Sequence, residues 1–142
     1  MLNGTHYRNG RSDGYSCGSL ADGRIQQLGR ESRGLIETAA GADDALISAF
    51  SFWEVAMLVQ GGRLQMPQPA AGWRQRVLEL GIQEIPVSGE IGILAAELEN
   101  FPRDPADRII TATALTRGAT LITADARILA WQGQLARLDA RN

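Results

Sequence analysis

Residues 102–129 read PRDPADRIITATALTRGATLITADARIL and contain the strongest secondary-structure signals in the chain. The pair Asp104-Pro105 is typical of a helix N-cap and first helical position. It precedes an amphipathic helix predicted over 107–117, which the glycine after it would end. A buried strand, TLIT, is predicted over 120–123, and a short helix over 125–131. A helix leading into a buried strand and then into another helix is typical of an α/β domain with a parallel sheet.

The same alternation extends toward both ends of the chain. Apolar periodicity and turn residues predict helices over 24–40, 51–60, 73–80 and 89–99, and strands over 45–47, 82–87 and 134–138. Strands that alternate with helices of about ten residues favour right-handed parallel crossovers. The predicted fold class is therefore α/β: a three-layer α/β/α domain over 24–142 with a short parallel sheet. Residues 1–23 are Gly-rich without apolar periodicity, and we expect an irregular leader.

Composition limits the chain to one domain and excludes several kinds of site. The 142 residues are 44% apolar and 21% charged, with a net charge of −2. No apolar run approaches the roughly 18–20 residues of a membrane span, and residues 1–23 lack a secretory apolar segment, so we expect a cytoplasmic protein with no membrane partner. Cys17 is the only cysteine, which excludes an intrachain disulfide and a cysteine-based zinc cluster.

The basic residues restrict the possible chemistry further. All 14 of them are arginines, so the chain has no lysine for a Walker-type phosphate loop or a Schiff base. His6 is the only histidine and lies in the Gly-rich leader. Catalytic triads, HExxH zinc sites and histidine general bases are therefore excluded.

Three acids stand near predicted helix starts: Glu54, Asp107 and Asp125. Each has a structural interpretation. Ser51 and Glu54 have the spacing of a capping box. Asp107 lies at the third helical position after the N-cap Asp104, where an acid is favourable for the helix dipole, and Asp125 is a suitable N-cap. The three acids could therefore be helix caps only, in a small α/β protein of unknown role.

The predicted topology also permits a shared site. The carboxyl ends of parallel strands lie on one edge of a sheet, and the helices that follow them begin there. Glu54 and Asp125 follow predicted strands, whereas the position of Asp107 depends on how the turn NFPRDP folds. Oxygen-only ligands favour Mg²⁺ or Mn²⁺, and such a cluster supports phosphodiester hydrolysis. Arg103 and Arg108 could bind substrate phosphates, although Arg108 could instead pair with a carboxylate on its own helix.

Aromatic side chains at helical spacing could be mistaken for nucleobase-stacking platforms. They are Phe50, Phe52, Trp53, Trp73 and Trp131. Because they lie beside Val and Leu, we interpret them as packing or dimer surface.

From about Gly23 to Asp139 the chain resembles PIN-domain proteins, in particular the VapC-type toxins of bacterial toxin–antitoxin pairs. The stretches that carry the resemblance are SAFSFWEVAMLVQGGRLQMP, PRDPADRIITATAL and ATLITADARIL. The resemblance implies a Mg²⁺- or Mn²⁺-dependent endoribonuclease toxin of a type II system that cleaves RNA, forms a homodimer and is inhibited by a cognate antitoxin. The alternative is a catalytically inactive binding module that keeps the antitoxin or dimer contacts.

The resemblance also implies the site residues. Glu54, Asp107 and Asp125 match the family's catalytic metal ligands, and Asp104 is an auxiliary acid or cap. The family begins with an apolar strand that ends in a ligand aspartate. Here that first strand is missing or atypical, and we interpret the N-terminus as degenerate or mis-framed. The alternative is a variant that completes its sheet with another chain. Counting back from the matched helix, Asp13 falls where the first aspartate would be.

Overall fold

The computed structural model describes residues 28–142 in full, together with the backbone of two short strands within the first 17 residues. In chain order the elements are β1 (Thr5–Asn9), β2 (Asp13–Cys17), α1 (Arg30–Gly41), β3 (Ala45–Ser48), α2 (Ala49–Gln60), α3 (Ala70–Glu79), β4 (Gln83–Ile85), α4 (Gly89–Glu97), α5 (Pro105–Arg117), β5 (Ala119–Thr123), α6 (Ala126–Ala130) and β6 (Arg137–Asp139). Helices separate the strands from β3 onward, which confirms the α/β class.

The strands of the described residues form one sheet in the order β4-β3-β1-β2-β5-β6. β3 pairs in parallel with β4, and β5 pairs in parallel with β6. β2 is parallel to both β3 and β5, whereas β1 runs antiparallel to β2 and β3. The predicted short parallel sheet is therefore confirmed, with one antiparallel strand among the parallel ones.

Side chains of β3 alternate between two helical layers, as the pleat of a strand requires. Ile47 packs in one apolar cluster with Ala39 of α1. Its neighbour Leu46 packs in another cluster with Ile91 of α4 and Ala112 of α5. β5 repeats this alternation. One of its central residues packs against α5, and the next packs in the cluster that includes a residue of α1. Helices thus cover both faces of the sheet, as predicted for a three-layer domain.

The element boundaries differ from prediction by a few residues. The helix predicted over 24–40 begins at Arg30, and 24–27 lie outside the described residues. The last strand occupies Arg137–Asp139 instead of 134–138. Helix α2 begins at Ala49, because the side chain of Ser48 accepts a hydrogen bond from the amide of Phe50. The cap therefore lies three residues before the serine of the predicted capping box.

The N-terminal segment differs from the irregular leader that the sequence predicts. The stretch 1–23 was expected to be irregular, yet β1 and β2 lie within it and occupy the middle of the sheet order. Local propensity is weak there, but β3 and β5 offer unpaired backbone groups to any segment between them, and tertiary pairing of this kind overrides local preference. The boundary between leader and domain stays a prediction.

One supersecondary unit places the start of α5 at the site. Gly118 ends the helix in the left-handed conformation (φ 59°), which glycine adopts without steric cost, and β5 follows directly. Because α5 packs back on β5 through Ile110 and Leu121, the two run antiparallel. Eleven helical residues and five strand residues both span about 16 Å. Asp107 therefore lies level with the carboxyl end of β5, whatever the conformation of the turn before it.

Candidate active site

Asp107 lies in the first turn of α5 and is 0% exposed. Its amide donates a hydrogen bond to the side chain of the N-cap residue Asp104 (3.2 Å). Its Oδ2 lies 3.4 Å from Nη2 of Arg127. Within the described residues, its Oδ1 is buried and accepts no hydrogen bond. A buried carboxylate oxygen without a donor is energetically costly, so this position favours a cation or a proton.

The surroundings of Asp107 raise the pKa of its carboxyl group to about 7. Burial is the largest cause, followed by repulsion from Asp104, Asp125 and Glu54, while Arg127 opposes the rise. Repulsion from three other carboxylates requires that they lie near Asp107. The structure therefore brings together four acids that are far apart in the sequence.

Asp125 is held in a different way, at the turn between β5 and α6. It is the N-cap of α6, and its Oδ1 accepts from the amide of Arg127 (2.8 Å). Its own amide donates to Oγ1 of the buried Thr123 (3.1 Å). The hydrogen bond from the Arg127 side chain is the largest cause that lowers the pKa of Asp125. This acid is therefore negatively charged throughout the neutral range.

Arg127 connects the two aspartates and was missed in the sequence. Its guanidinium lies 2.8 Å from Oδ2 of Asp125 and 3.4 Å from Oδ2 of Asp107, while 63% of its side chain stays exposed. A basic residue two positions after an acidic N-cap was the available signal. Spacing alone did not indicate that the side chain folds back over its own cap to reach Asp107.

Glu54 lies in the second turn of α2 and is half-buried. With Asp104 it lines a groove of about 500 Å³. Ser51, one turn earlier, is 0% exposed, and its Oγ is among the described buried atoms without a hydrogen-bond partner. The predicted capping box between Ser51 and Glu54 is therefore wrong, because the helix has already started and Ser51 points into the interior.

The donor set fits a hard divalent cation that keeps part of its water shell. Among the described residues, no three His, Cys, Asp or Glu side chains form a ready-made metal site. Mg²⁺, however, commonly binds through one or two carboxylates and several waters. Asp107, with its unpaired buried oxygen, and Asp125 provide such a pair. Metal binding by these two acids, and by Glu54 and Asp104 near them, stays a prediction.

The prediction of Asp13 as a metal ligand does not agree with the sheet register. Gly14 pairs with Ala119, the first residue of β5. Asp125, in contrast, follows Thr123, the last residue of that strand. The backbone of Asp13 therefore lies at the edge opposite the acids, because β2 and β5 run in parallel and Asp13 begins its strand.

Arg108 does not take the predicted role in phosphate binding. Its guanidinium donates to the carbonyls of Ala95 (2.9 Å), Leu98 (3.3 Å) and Phe101 (3.2 Å). These carbonyls belong to the last turn of α4 and the segment after it, and helix ends leave such groups without intrahelical partners. Arg108 is thus a structural residue, and within the described part of the chain it forms no ion pair with a carboxylate, which was the alternative. Arg103 is exposed, and its contact with substrate stays a prediction.

The aromatic residues are distributed between the interior and the surface. Phe52 packs edge-on against Trp73, which is 8% exposed, as predicted for core packing. Trp53 is 54% exposed on α2.

No helix in the described part of the chain is long and apolar enough to cross a bilayer.

Comparison with known proteins points to one family. Residues 23–132 match the PIN domain family. The chain is similar to Ribonuclease VapC22 of Mycobacterium tuberculosis (strain ATCC 25618 / H37Rv), with 35% identity over 88 residues, which is 61% of this chain and 67% of that protein. No solved structure matches the chain significantly.

Proposed function

The chain belongs to the PIN domain family, and we propose that it is a Mg²⁺- or Mn²⁺-dependent endoribonuclease, the toxin of a type II toxin–antitoxin pair. The observation that carries this proposal is Asp107, a fully buried carboxyl group whose pKa of about 7 reflects burial and three neighbouring acids. Perturbed titratable groups of this kind are concentrated at functional sites. The similarity to a ribonuclease of the VapC type supports RNA as the substrate.

In this proposal Asp107 and Asp125 hold the cation, with Glu54 as a further ligand and Asp104 at the rim. When bound, the cation acidifies a water for attack on phosphorus. Asp107 releases its proton as the site is loaded, because a protonated carboxyl group is a poor ligand. The Asp104 cap holds the first turn of α5 that carries Asp107.

Arg127 has a second part in the proposed reaction. Its guanidinium is exposed and lies directly beside both aspartates. Guanidinium groups bind phosphate oxygens through paired hydrogen bonds. We expect Arg127 to neutralise the acids before the site is loaded and to contact the RNA backbone afterwards.

We also propose a homodimer and a cognate antitoxin as partners, in the cytoplasm. Trp53 and Met57 are 54% and 52% exposed on α2, and both line the groove that contains Glu54. Exposed apolar side chains grouped beside a functional groove commonly mark a protein contact. A partner bound there would cover the approach to the acids, which is the behaviour expected of an inhibitor.

The test is RNA cleavage by the purified protein with and without divalent cations. Asp107→Asn and Glu54→Gln should each lower the rate by at least about a hundredfold, because loss of a ligand costs more than the roughly 10- to 100-fold loss of an outer-shell partner. Glu79→Gln is the matched control, since Glu79 is exposed on α3 and lies outside the acidic cluster. Cleavage that is indifferent to EDTA and to both site variants would refute the metal mechanism.

An inactive binding module is the second candidate, and the ion pairs of Arg127 favour it. They already supply a positive charge to Asp107 and Asp125, and the described residues contain no ready-made metal site. A cation at ten times its dissociation constant would stabilise the folded chain by about 1.4 kcal/mol. Copurification with an antitoxin, combined with no thermal shift on Mn²⁺ titration, would establish the binding module instead.

A further inference from the structure

A cavity lies beside the acids, and apart from Arg127 its lining has no part in the catalytic proposal. It has a volume of about 860 Å³ and lies between the loop 99–103 and the segment 130–133. This volume falls within the usual range for small-molecule and cofactor pockets. Arg127 lines the cavity and also contacts Asp107 and Asp125, so the cavity is adjacent to the acidic site.

Trp131 forms a preformed aromatic wall of this cavity. Its indole N–H donates to the carbonyl of Glu99 (2.9 Å), and its ring meets Phe101 edge-on, with 5.0 Å between centroids and an interplanar angle of 89°. The ring also lies against the backbone of Gly133, where an added Cβ would stand 2.1 Å from the indole. Only glycine permits this approach. Three independent contacts therefore fix the indole, while the side chain stays partly exposed in the cavity.

The charge around the cavity favours an anionic ligand. Arg103 and Arg127 both line it and are both exposed, whereas Glu99 is the only acid among the described lining residues. The amide side chains of Asn100 and Gln132 also line it and can donate and accept hydrogen bonds. An aromatic wall, amide groups and arginines are together the features that bind an unpaired nucleotide.

We propose that this cavity, here named the Trp131 pocket, binds the nucleotide of single-stranded RNA next to the scissile phosphodiester. The inference rests on the proposed function and adds to it a site for the base. The unstacked base contacts the indole of Trp131, and Arg103 binds the neighbouring phosphate. Arg127 lies between the pocket and the acids, and it faces the phosphate at that position. The interpretation of Trp131 as packing alone is therefore incomplete, since the indole packs against Phe101 and also lines the pocket.

The test measures affinity for a fluorescein-labelled single-stranded oligoribonucleotide by anisotropy, in EDTA so that cleavage does not interfere. Trp131→Ala and Arg103→Ala should each weaken binding about tenfold, the scale of a lost stacking partner. Trp131→Phe should keep most of the affinity. Arg117→Ala is the matched control, because Arg117 is exposed at the opposite end of α5, and its affinity should stay within about twofold of wild type.

A second measurement does not depend on removing Trp131. The chain has three tryptophans, and the double variant Trp53→Phe, Trp73→Phe leaves Trp131 as the only one. Saturable quenching of its fluorescence by the same oligoribonucleotide is expected, with weaker quenching by a fully paired duplex whose bases are not free to unstack.

The outcomes separate this inference from the proposed function. Unchanged affinity in both pocket variants, or no quenching, would overturn the inference even if metal-dependent cleavage is intact. Loss of antitoxin copurification in Trp131→Ala with unchanged RNA affinity would also overturn it, in favour of a protein ligand. RNA binding that needs Trp131 but is never followed by metal-dependent cleavage would keep the pocket and refute the ribonuclease.

Discussion

Two helix starts at the same edge of the sheet both have an aspartate as N-cap, yet their electrostatics are opposite. The start of α5 has Asp104 as N-cap, and the start of α6 has Asp125 as N-cap. At the first start, burial and neighbouring acids raise the pKa of Asp107 to about 7; at the second, an arginine lowers the pKa of Asp125. A helix start with an acidic cap can therefore hold a proton-binding carboxyl group, such as Asp107, or a permanent anion, such as Asp125.

The difference comes from where the nearby arginines point. Arg108 follows Asp107 directly but turns away to backbone carbonyls such as that of Ala95. Arg127 lies two residues after Asp125 and turns back onto it. Asp107 is consequently left with only a 3.4 Å contact to a guanidinium that is already paired. Desolvation without full compensation is the condition under which an acid keeps its proton at neutral pH.

The largest expected effect is the pH dependence of stability in the metal-free protein. The folded-state pKa of Asp107 is about 7, against an ordinary value of 3.8. The contribution of Asp107 to the free energy of unfolding is most favourable below about pH 4. It is lost as the pH rises toward 7, because the unfolded state releases the proton of this carboxyl group more readily than the folded state does. The loss is on the order of 4 kcal/mol, since the pKa rises by about three units and one unit corresponds to about 1.4 kcal/mol. Asp107→Asn should remove this pH dependence. Urea denaturation at several pH values between 4 and 8 measures the change in the free energy of unfolding.

Asp125→Asn is the counterpart for this measurement. The lowered pKa of Asp125 contributes stability above its ordinary pKa, and that contribution is lost as the pH falls. Asp125→Asn should therefore lower stability at pH 7, whereas Asp107→Asn raises it. If both variants shift stability in the same direction at pH 7, the contrast between the two helix starts is wrong.

The next effect concerns Arg108. Arg108→Ala should destabilise the protein by about 2–3 kcal/mol, because it leaves several carbonyls at the end of α4 without their charged donor. Thermal and urea unfolding measure this change. Arg103→Ala, an exposed arginine nearby, should change stability by no more than about 0.5 kcal/mol.

The opposite pattern would contradict the structural role of Arg108. If Arg108→Ala leaves stability unchanged but weakens RNA binding, its guanidinium faces substrate, as the sequence first suggested. The direction of the Arg108 side chain would then no longer explain why Asp107 has no full counter-ion.

The smallest effect on stability is expected for Arg127. Arg127→Ala should change the free energy of unfolding by less than about 1 kcal/mol, because the guanidinium is 63% exposed and exposed ion pairs contribute little. The same variant should change the titration of Asp125, since the hydrogen bond from the Arg127 side chain is the largest cause of the low pKa of Asp125. An NMR carboxyl titration should show that pKa rising in Arg127→Ala and unchanged in Arg103→Ala. A low pKa that persists without Arg127 would show that backbone amides alone stabilise the anion.

Local signals predicted much of the fold. The Asp104 cap and the end of α5 at Gly118 were both readable from the sequence, because they depend on residues within a few positions of each other. The start of α2 was misplaced because Ser48 and Ser51 are equally good caps by composition, and only the end of β3 decides between them. The two N-terminal strands were missed because their pairing partners lie far away in the chain.

The sequence by itself determined the alternation of helices and strands, the helix starts that carry acids, and the oxygen-only chemistry of a chain with no lysine and one histidine. Only the tertiary structure decided that Asp107 is buried among three other acids, that Arg108 supports a helix end and that Arg127 serves the site. The physical reason is range. Caps and periodicity involve neighbours in the chain, whereas desolvation and the choice of an arginine's partner depend on which distant elements pack together.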